Sequence, residues 1–247
     1  MKIAVTHNHL NAKEFLIARK ETQYAEIINC ITSVDANHLL KISGDRQNLG
    51  KVYFSQEGLN IAIEQNFLKY KWLPDKEYYN VKIDDAKSIR THNQVDFLKD
   101  SIAVEVQFGK YFSVSYDLHV KHSYYYSTHK IDVLVEIIPT KAMEKHMDTG
   151  VSWFEKEVHN LTRLGGSDPA VPVLIIGIES EDIISSDPVE YQDSMLLDII
   201  KRMKSETLNT LRSNINQALG GNMRAAKKAR VDKISGCLTF LDRQLQE

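Results

Sequence analysis

The sequence predicts an α/β fold: a central mixed β-sheet flanked by helices, with a helical extension towards the C-terminus. Three observations predict it. Ile102–Phe108 and Ile131–Ile137 alternate at a period of two, and Val171–Ile178 is a continuous apolar run of buried-strand length. Helically spaced apolar residues lie before and between these strands: Phe15, Leu16, Ile27, Ile28 and Ile31 in one stretch, and Phe154, Val158 and Leu161 in another. From Met195 to Leu219 the spacing is helical, with no strand signal.

In chain order, Met1–Thr6 reads as a short strand, and a helix opens at Asn11 or Ala12 and runs to about Thr32. Gly44 to Gly50, with Asp45 and Asn48, reads as a turn region, Val52–Phe54 as extended, and Leu59–Leu68 as a short helix. Lys69 to Asn93 is polar and aromatic, with Pro74 as a breaker and an extended piece at Tyr78, Tyr79 and Val81. Tyr116, Val120 and Tyr124 recur every four residues, so Phe112–Tyr126 reads as a helix. Asp148-Thr149-Gly150 is a turn before a helix that starts near Ser152 and stops around Gly165-Gly166. In the last third, Glu179–Asp198 holds seven acidic residues and no Lys or Arg, whereas Lys201–Lys233 holds nine basic residues against two acidic ones. One long helix is expected to reach Leu219, Gly220-Gly221 ends it, and a second runs from about Met223 towards Leu245. The expected division is a domain of residues 1–186 and a helical extension of residues 187–247, packed on the core or in a dimer.

With 43% hydrophobic and 26% charged residues, the composition excludes a disordered chain. No run reaches the ~18 apolar residues of a membrane span, and Met1-Lys2-Ile3-Ala4-Val5 does not open a signal peptide, so a cytoplasmic protein is expected. Cys30 and Cys237 are too few for a disulfide framework or a thiolate zinc site and read as buried and inert. His7-x-His9 and His119-x-x-His122 lack the cysteine pair or His-Glu-x-x-His that would make a zinc motif, and there is no phosphate loop and no Gly-x-Ser-x-Gly.

The chemistry concentrates at Asp96, Glu105 and Gln107. On a strand from Ile102 to Phe108, Ile102, Val104, Val106 and Phe108 face one way and Ala103, Glu105 and Gln107 the other, which predicts a half-buried strand. Glu105 and Gln107 then stand roughly 6 to 7 Å apart. A preceding extended segment that returns beside this strand brings Asp96 next to Glu105. Two carboxylates and a third polar group suit a hard cation such as Mg²⁺, which takes oxygen ligands in a near-octahedral shell. A solvent-facing strand also carries two polar residues on one face, and spacing alone does not separate the readings.

An acidic residue followed nine positions later by Glu-x-Gln resembles the PD-(D/E)xK nuclease core, with Gln107 where most members carry Lys. Val95-Asp96-Phe97-Leu98-Lys99-Asp100, Ile102 to Tyr111, Tyr116-Asp117-Leu118, Val120-Lys121-His122, Lys130-Ile131-Asp132-Val133 and Pro169 to Val173 together resemble type II restriction endonucleases of the BglII and BstYI type, nearest to the BstYI pattern. The resemblance is dense from about Asn93 to Ile178, thinner at His9-Leu10-Asn11 and Gly58-Leu59-Asn60, and absent beyond about Asp187.

The resemblance implies a restriction-endonuclease-like core and a homodimeric, Mg²⁺-dependent enzyme of a restriction-modification system, functionally paired with a DNA methyltransferase. Such an enzyme cuts double-stranded DNA at a palindrome centred on GATC (RGATCY-like) and leaves 5′ overhangs. Asp96 and Glu105 become the metal ligands, with the Val106 carbonyl as a third. Gln107 is no base at any relevant pH and is assigned to orienting the attacking water; Asn60 or Asn93 is a possible accessory amide. Lys110 matches a base-contacting position and Asp148-Thr149-Gly150 a Ser-bearing recognition loop, with Thr149 keeping the hydroxyl and Asp148 adding a charge. Lys121, His122 and Arg163 are candidate phosphate contacts, with an ordinary charged surface as the plain alternative. Two rivals stand beside this reading: a structure-selective repair nuclease of the same fold, and a DNA-binding protein without catalysis.

Overall fold

The computed structural model describes residues 1–84, 87–109, 112–164, 168–182 and 184–244. In chain order its elements are β1 (Lys2–His9), α1 (Ala12–Arg19), α2 (Glu21–Thr32), β2 (Leu40–Ile42), β3 (Val52–Phe54), α3 (Gln56–Lys69), β4 (Leu73–Lys82), β5 (Ser88–Lys99) and β6 (Ile102–Val106). There follow α4 (Phe112–Tyr116), a π-helical turn Asp117–Lys121 that leads into α5 (His122–Ser127), β7 (Val133–Pro139), α6 (Lys141–Glu144), α7 (Phe154–Leu164) and β8 (Val173–Glu179). The last three are α8 (Asp193–Arg202), α9 (Ser205–Leu219) and α10 (Ala225–Gln244).

The chain forms two compact units. The first comprises residues 1–35, 59–145 and 149–181, and its sheet runs β1-β8-β7-β6-β5-β4. Strands β6, β7 and β8 are parallel and the remaining pairings antiparallel, which makes the sheet mixed, as the sequence predicts. On one face Val95, Ala103 and Leu134 pack with Val114, Leu118 and Tyr125 of the helical run after β6. On the other, Phe97 stacks on Phe67 of α3 at 4.4 Å. With both faces covered, β6 is not the half-buried strand that its alternation predicts: Ile102, Ala103 and Val104 are fully buried, and Glu105 with them.

The second unit comprises residues 36–58, 146–148 and 182–247. Ile42 and Val52 of a small β2–β3 sheet join Leu196, Ile199, Leu211, Ile215, Val231 and Ile234 in one core. The unit holding the C-terminal helices thus also takes in residues 36–58, which no local pattern ties to them.

Three expected elements are reshaped. The helix expected from residue 12 to 32 breaks at Lys20 (φ −140°, ψ 38°), whose Nζ donates to the Asp100 carbonyl at 2.9 Å. The helix expected to reach Leu219 unbroken breaks at Met203 and Lys204, both extended, where Lys204 pairs with Glu57 and Arg202 donates to the His38 carbonyl. The region from Leu73 to Lys99 becomes two long strands, most of whose outer residues are exposed. Among the described residues no helix is long and apolar enough to cross a membrane.

Candidate active site

Two turns of the chain bring the site together. Asp100 (φ 48°) and Ser101 (φ 62°) are both left-handed and form a two-residue connection, so Lys99 pairs with Ile102, Leu98 with Ala103 and Phe97 with Val104. That register carries Asp96 beside Glu105. Between β4 and β5 the register shifts: Leu73 faces Leu98 and Asp75 faces Val95, so Asp96 and Phe97 together oppose Pro74. A bulge of this kind re-aims a side chain, and here the Asp96 carboxylate accepts a hydrogen bond from the Val106 backbone N–H at 3.1 Å. Asp96 and Gln107 line a cleft of about 400 Å³ together with Asn60, Glu64, Pro74, Gln94, Phe97, Val106 and Gly109.

Behind the cleft, Lys121 Nζ lies 2.7 Å from Glu105 Oε1 and 2.7 Å from Asp117 Oδ1. His122 Nε2 lies 2.9 Å from the same Glu105 oxygen. The Gln107 amide donates to the other Asp117 oxygen, so its own carbonyl oxygen is left for the cleft. Glu136 stands in register with Glu105 on β7, fully buried, with no hydrogen-bond partner to either oxygen among the described residues. Carboxylates thus stand on three adjacent strands, Asp96, Glu105 and Glu136, and the Lys121 ammonium pairs with the central one and with Asp117.

Burial, reinforced by the Glu105 charge, pushes Asp96 up to about 7. Burial raises Glu105 as well, against the pull of Lys121. Burial raises Glu136 well above the ordinary carboxylate value, aided by Asp117 and Glu105, which favours its neutral form. Burial alone would lower Lys121, but the Glu105 and Asp117 carboxylates outweigh it and raise the amine, which stays charged. Burial and then Lys121 push His122 down to about 3, so it is neutral and donates from Nε2, leaving Nδ1 buried and unpaired. Two adjacent carboxylates that resist ionising together are a site that a divalent cation relieves. Among the described residues no three His, Cys, Asp or Glu side chains are arranged to hold a metal. The donor set is instead two carboxylates, which suits Mg²⁺ because it keeps waters and takes substrate phosphate oxygens for the rest of its shell.

The structure brings Asp96, Glu105 and Gln107 together and sets Asn60 at the cleft; Asn93 instead accepts from the Tyr116 hydroxyl at 3.2 Å. Lys121 and His122 are not surface groups: both are buried, against Glu105, because the π-helical turn points them at the sheet. Arg163 and Thr149 are exposed, and Asp148 has its charge met by Lys41. Lys110 lies outside the described residues. Sequence reasoning gave no role to Asp117 and Glu136. Glu136 had a signal, a lone acid inside the apolar run Val133–Pro139, and Asp117 had another, its spacing of four from Lys121. Cys30 and Cys237 are both buried free thiols, and burial raises the Cys30 thiol to about 12.

Comparison with known proteins adds two findings. The family model for restriction endonuclease BglII/BglIII matches residues 4–178. The crystal structure of free BglII superposes with a TM-score of 0.54 over 74% of this chain and 82% of that one, at 18% identity, a likeness of fold. No curated protein matches the chain in sequence.

Proposed function

This chain belongs to the BglII/BglIII restriction endonuclease family and is thus a site-specific deoxyribonuclease, and from that premise we propose that it cuts duplex DNA at a palindrome centred on GATC, RGATCY-like, leaving 5′ overhangs. It acts as a homodimer, since a palindrome presents two equivalent half-sites. Residues 1–186 carry cutting and DNA binding, residues 187–247 the helical extension. The cell holds it in the cytoplasm beside a methyltransferase that protects the same site. The nearness of Lys110 and the Asp148-Thr149-Gly150 turn to the BstYI pattern supports the choice of sequence.

One observation carries the catalytic reading: Asp96 lines a cleft together with Gln107 and has the buried Glu105 carboxylate directly beside it. Asp96, Glu105 and the Val106 carbonyl would hold Mg²⁺, which, when bound, makes a water more acidic and a developing oxyanion less costly. Glu105 is kept in place by Lys121 and His122, and the Lys121 charge favours its ionised form. Gln107, tied through its amide N–H to Asp117, turns its carbonyl oxygen to the attacking water and accepts a hydrogen bond from it. Asn60 at the cleft is a second amide for the same purpose. Thr149 and Lys110 read base edges, and Arg163 contacts phosphate; Lys121 and His122, being buried, act through Glu105.

Digestion of unmethylated plasmid DNA with Mg²⁺ tests this reading. Discrete fragments with GATC overhangs are expected. Structure-selective nicking would favour a repair nuclease, and binding without cutting a non-catalytic protein. Asp96→Ala and Glu105→Ala abolish cutting while binding in Ca²⁺ persists; normal cutting by either variant would sink the site assignment.

A further inference from the structure

The β4–β5 hairpin extends away from the catalytic cleft, and its two faces differ in chemistry. Cross-strand partners share a face, so Lys76 lies with Gln94, Tyr78 with His92 and Lys82 with Ser88. Ring contacts agree with this: Tyr78 and His92 have centroids 5.3 Å apart, and the Arg90 guanidinium sits 4.5 Å from the Tyr78 ring. This face is solvent-exposed along its length. It carries Lys76, Lys82, Arg90 and His92, and between Asp75 and Gln94 no described acidic residue of either strand lies on it. The hairpin's own strand acids, Asp75 and Glu77, fall on the opposite face, where Lys130 Nζ lies 3.2 Å from Glu77. Among the described residues no carboxylate pairs with Lys76, Lys82 or Arg90.

The basic face is continuous with the cleft. Gln94 lies on it and also lines the cleft with Asp96 and Gln107. At about 3.3 Å per residue, Arg90 stands roughly 13 Å and the Lys82–Ser88 pair roughly 20 Å along β5 from Gln94. Duplex DNA rises 3.4 Å per base pair, so these cations lie about four to six base pairs beyond the cleft. Strand β4 is also a sheet edge, and edge strands often carry lysine to block pairing. Edge protection is served by charges on either face, whereas here the cations are sorted to the face that leads from the catalytic carboxylates.

We propose that the Lys76–Lys82–Arg90 face of the β4–β5 hairpin is a DNA arm, which holds the phosphate backbone of the duplex flanking the cut site. The proposal rests on the endonuclease reading and adds to it a binding surface outside the recognition turn. Phosphate contacts of this kind set register and add affinity without reading sequence.

The test compares wild type with K76Q/K82Q/R90Q in Ca²⁺, using a duplex of about 40 base pairs centred on a GATC palindrome and one of about 12 that ends short of the arm. The substitutions are at exposed positions, so melting curves should coincide. On the long duplex the slope of log K against log salt should become shallower by about 0.9 per lost contact, about 2.7 for each arm and about 5.4 for a dimer that engages both flanks; the affinity lost between roughly 50 and 200 mM salt then shrinks about 40-fold per arm, roughly 1,800-fold in all. The short duplex should bind the two proteins alike, and sedimentation should give them equal mass. An unchanged slope on the long duplex overturns the arm while leaving the endonuclease reading intact. A variant that loses self-association overturns it in favour of a second copy of the chain as occupant. A wild type that binds neither duplex overturns the endonuclease reading and the arm together.

Discussion

Replacing Asp96 with Asn is expected to make the metal-free protein more stable while abolishing cleavage. The Asn carbonyl can still accept from the Val106 N–H, so the hydrogen-bonded frame survives and only the charge is lost. Asp96 is raised from 3.8 to about 7 by burial and by Glu105. For an acid raised in the folded state, the stabilising contribution of the protonated form is fully present below the unfolded value and is lost as pH rises through the folded one. Wild type therefore loses stability between about pH 4 and pH 7 and carries the whole penalty at pH 8. Three units at about 1.4 kcal/mol each set an upper bound of about 4 kcal/mol, and sharing of one proton with Glu105 brings the expected gain to about 2 to 3 kcal/mol. For a chain of this size that is a rise of roughly 5 to 10 °C in melting temperature. Calorimetry of wild type and variant in EDTA at pH 4 and pH 8 reads it directly: the two should nearly coincide at pH 4 and separate at pH 8. A less stable Asn variant at pH 8 would mean that its neighbours hold the carboxylate comfortably, and the argument for a site awaiting a cation would fail.

Three further outcomes follow from the same geometry. Lys121→Met leaves Glu105 and Asp117 without their shared cation and should cost about 3 to 5 kcal/mol in denaturant melts at pH 8, less in acid where the carboxylates protonate. Glu136→Met removes a buried acid with no hydrogen-bond partner among the described residues; because its folded value is raised, wild type loses stability as pH climbs above the unfolded carboxylate value, and the variant should flatten that decline in melts taken at rising pH. Gly177→Ala puts a methyl 2.7 Å from Val5 Cγ1 and 2.9 Å from the Phe154 ring, and should lower stability by about 1 to 3 kcal/mol without changing the metal dependence of whatever activity remains.

The sequence made the core strands legible where burial writes a pattern. Val173–Glu179 lies buried between other strands, and its apolar run says so; Val133–Pro139 is legible as a strand from its alternation, although it too is buried on both faces. The meeting of Asp96 with Glu105 was legible from arithmetic: a two-residue turn at positions 100 and 101 makes 96 and 105 opposite. The β4–β5 hairpin was hardly legible, because most of Lys76 to His92 buries no face and so shows no apolar period. Lys121 and His122 were read as surface residues for a related reason. A charged side chain is usually exposed, and what overrides that rule here is a partner 16 or 17 residues away, Glu105, on a different element. Glu136 shows the converse: its chemical type was plain, but its isolation became visible only with the strands in register.

The discontinuous second unit also sets an order of events during synthesis. Ile42, Leu49 and Val52 are buried against Leu196, Leu211, Val231 and Leu238, and Asn214 donates to the Gly44 carbonyl across 170 positions of chain. At about 5 to 20 residues per second, the early strands wait roughly 10 to 40 s for the helices that cover them. The sheet bearing Asp96 and Glu105 has all its strands by Glu179, before α8 exists. A nascent chain therefore completes the strands of Asp96 and Glu105 first and closes its second core last, so a ribosome that stalls after Glu179 leaves Ile42, Leu49 and Val52 open to chaperones and proteases.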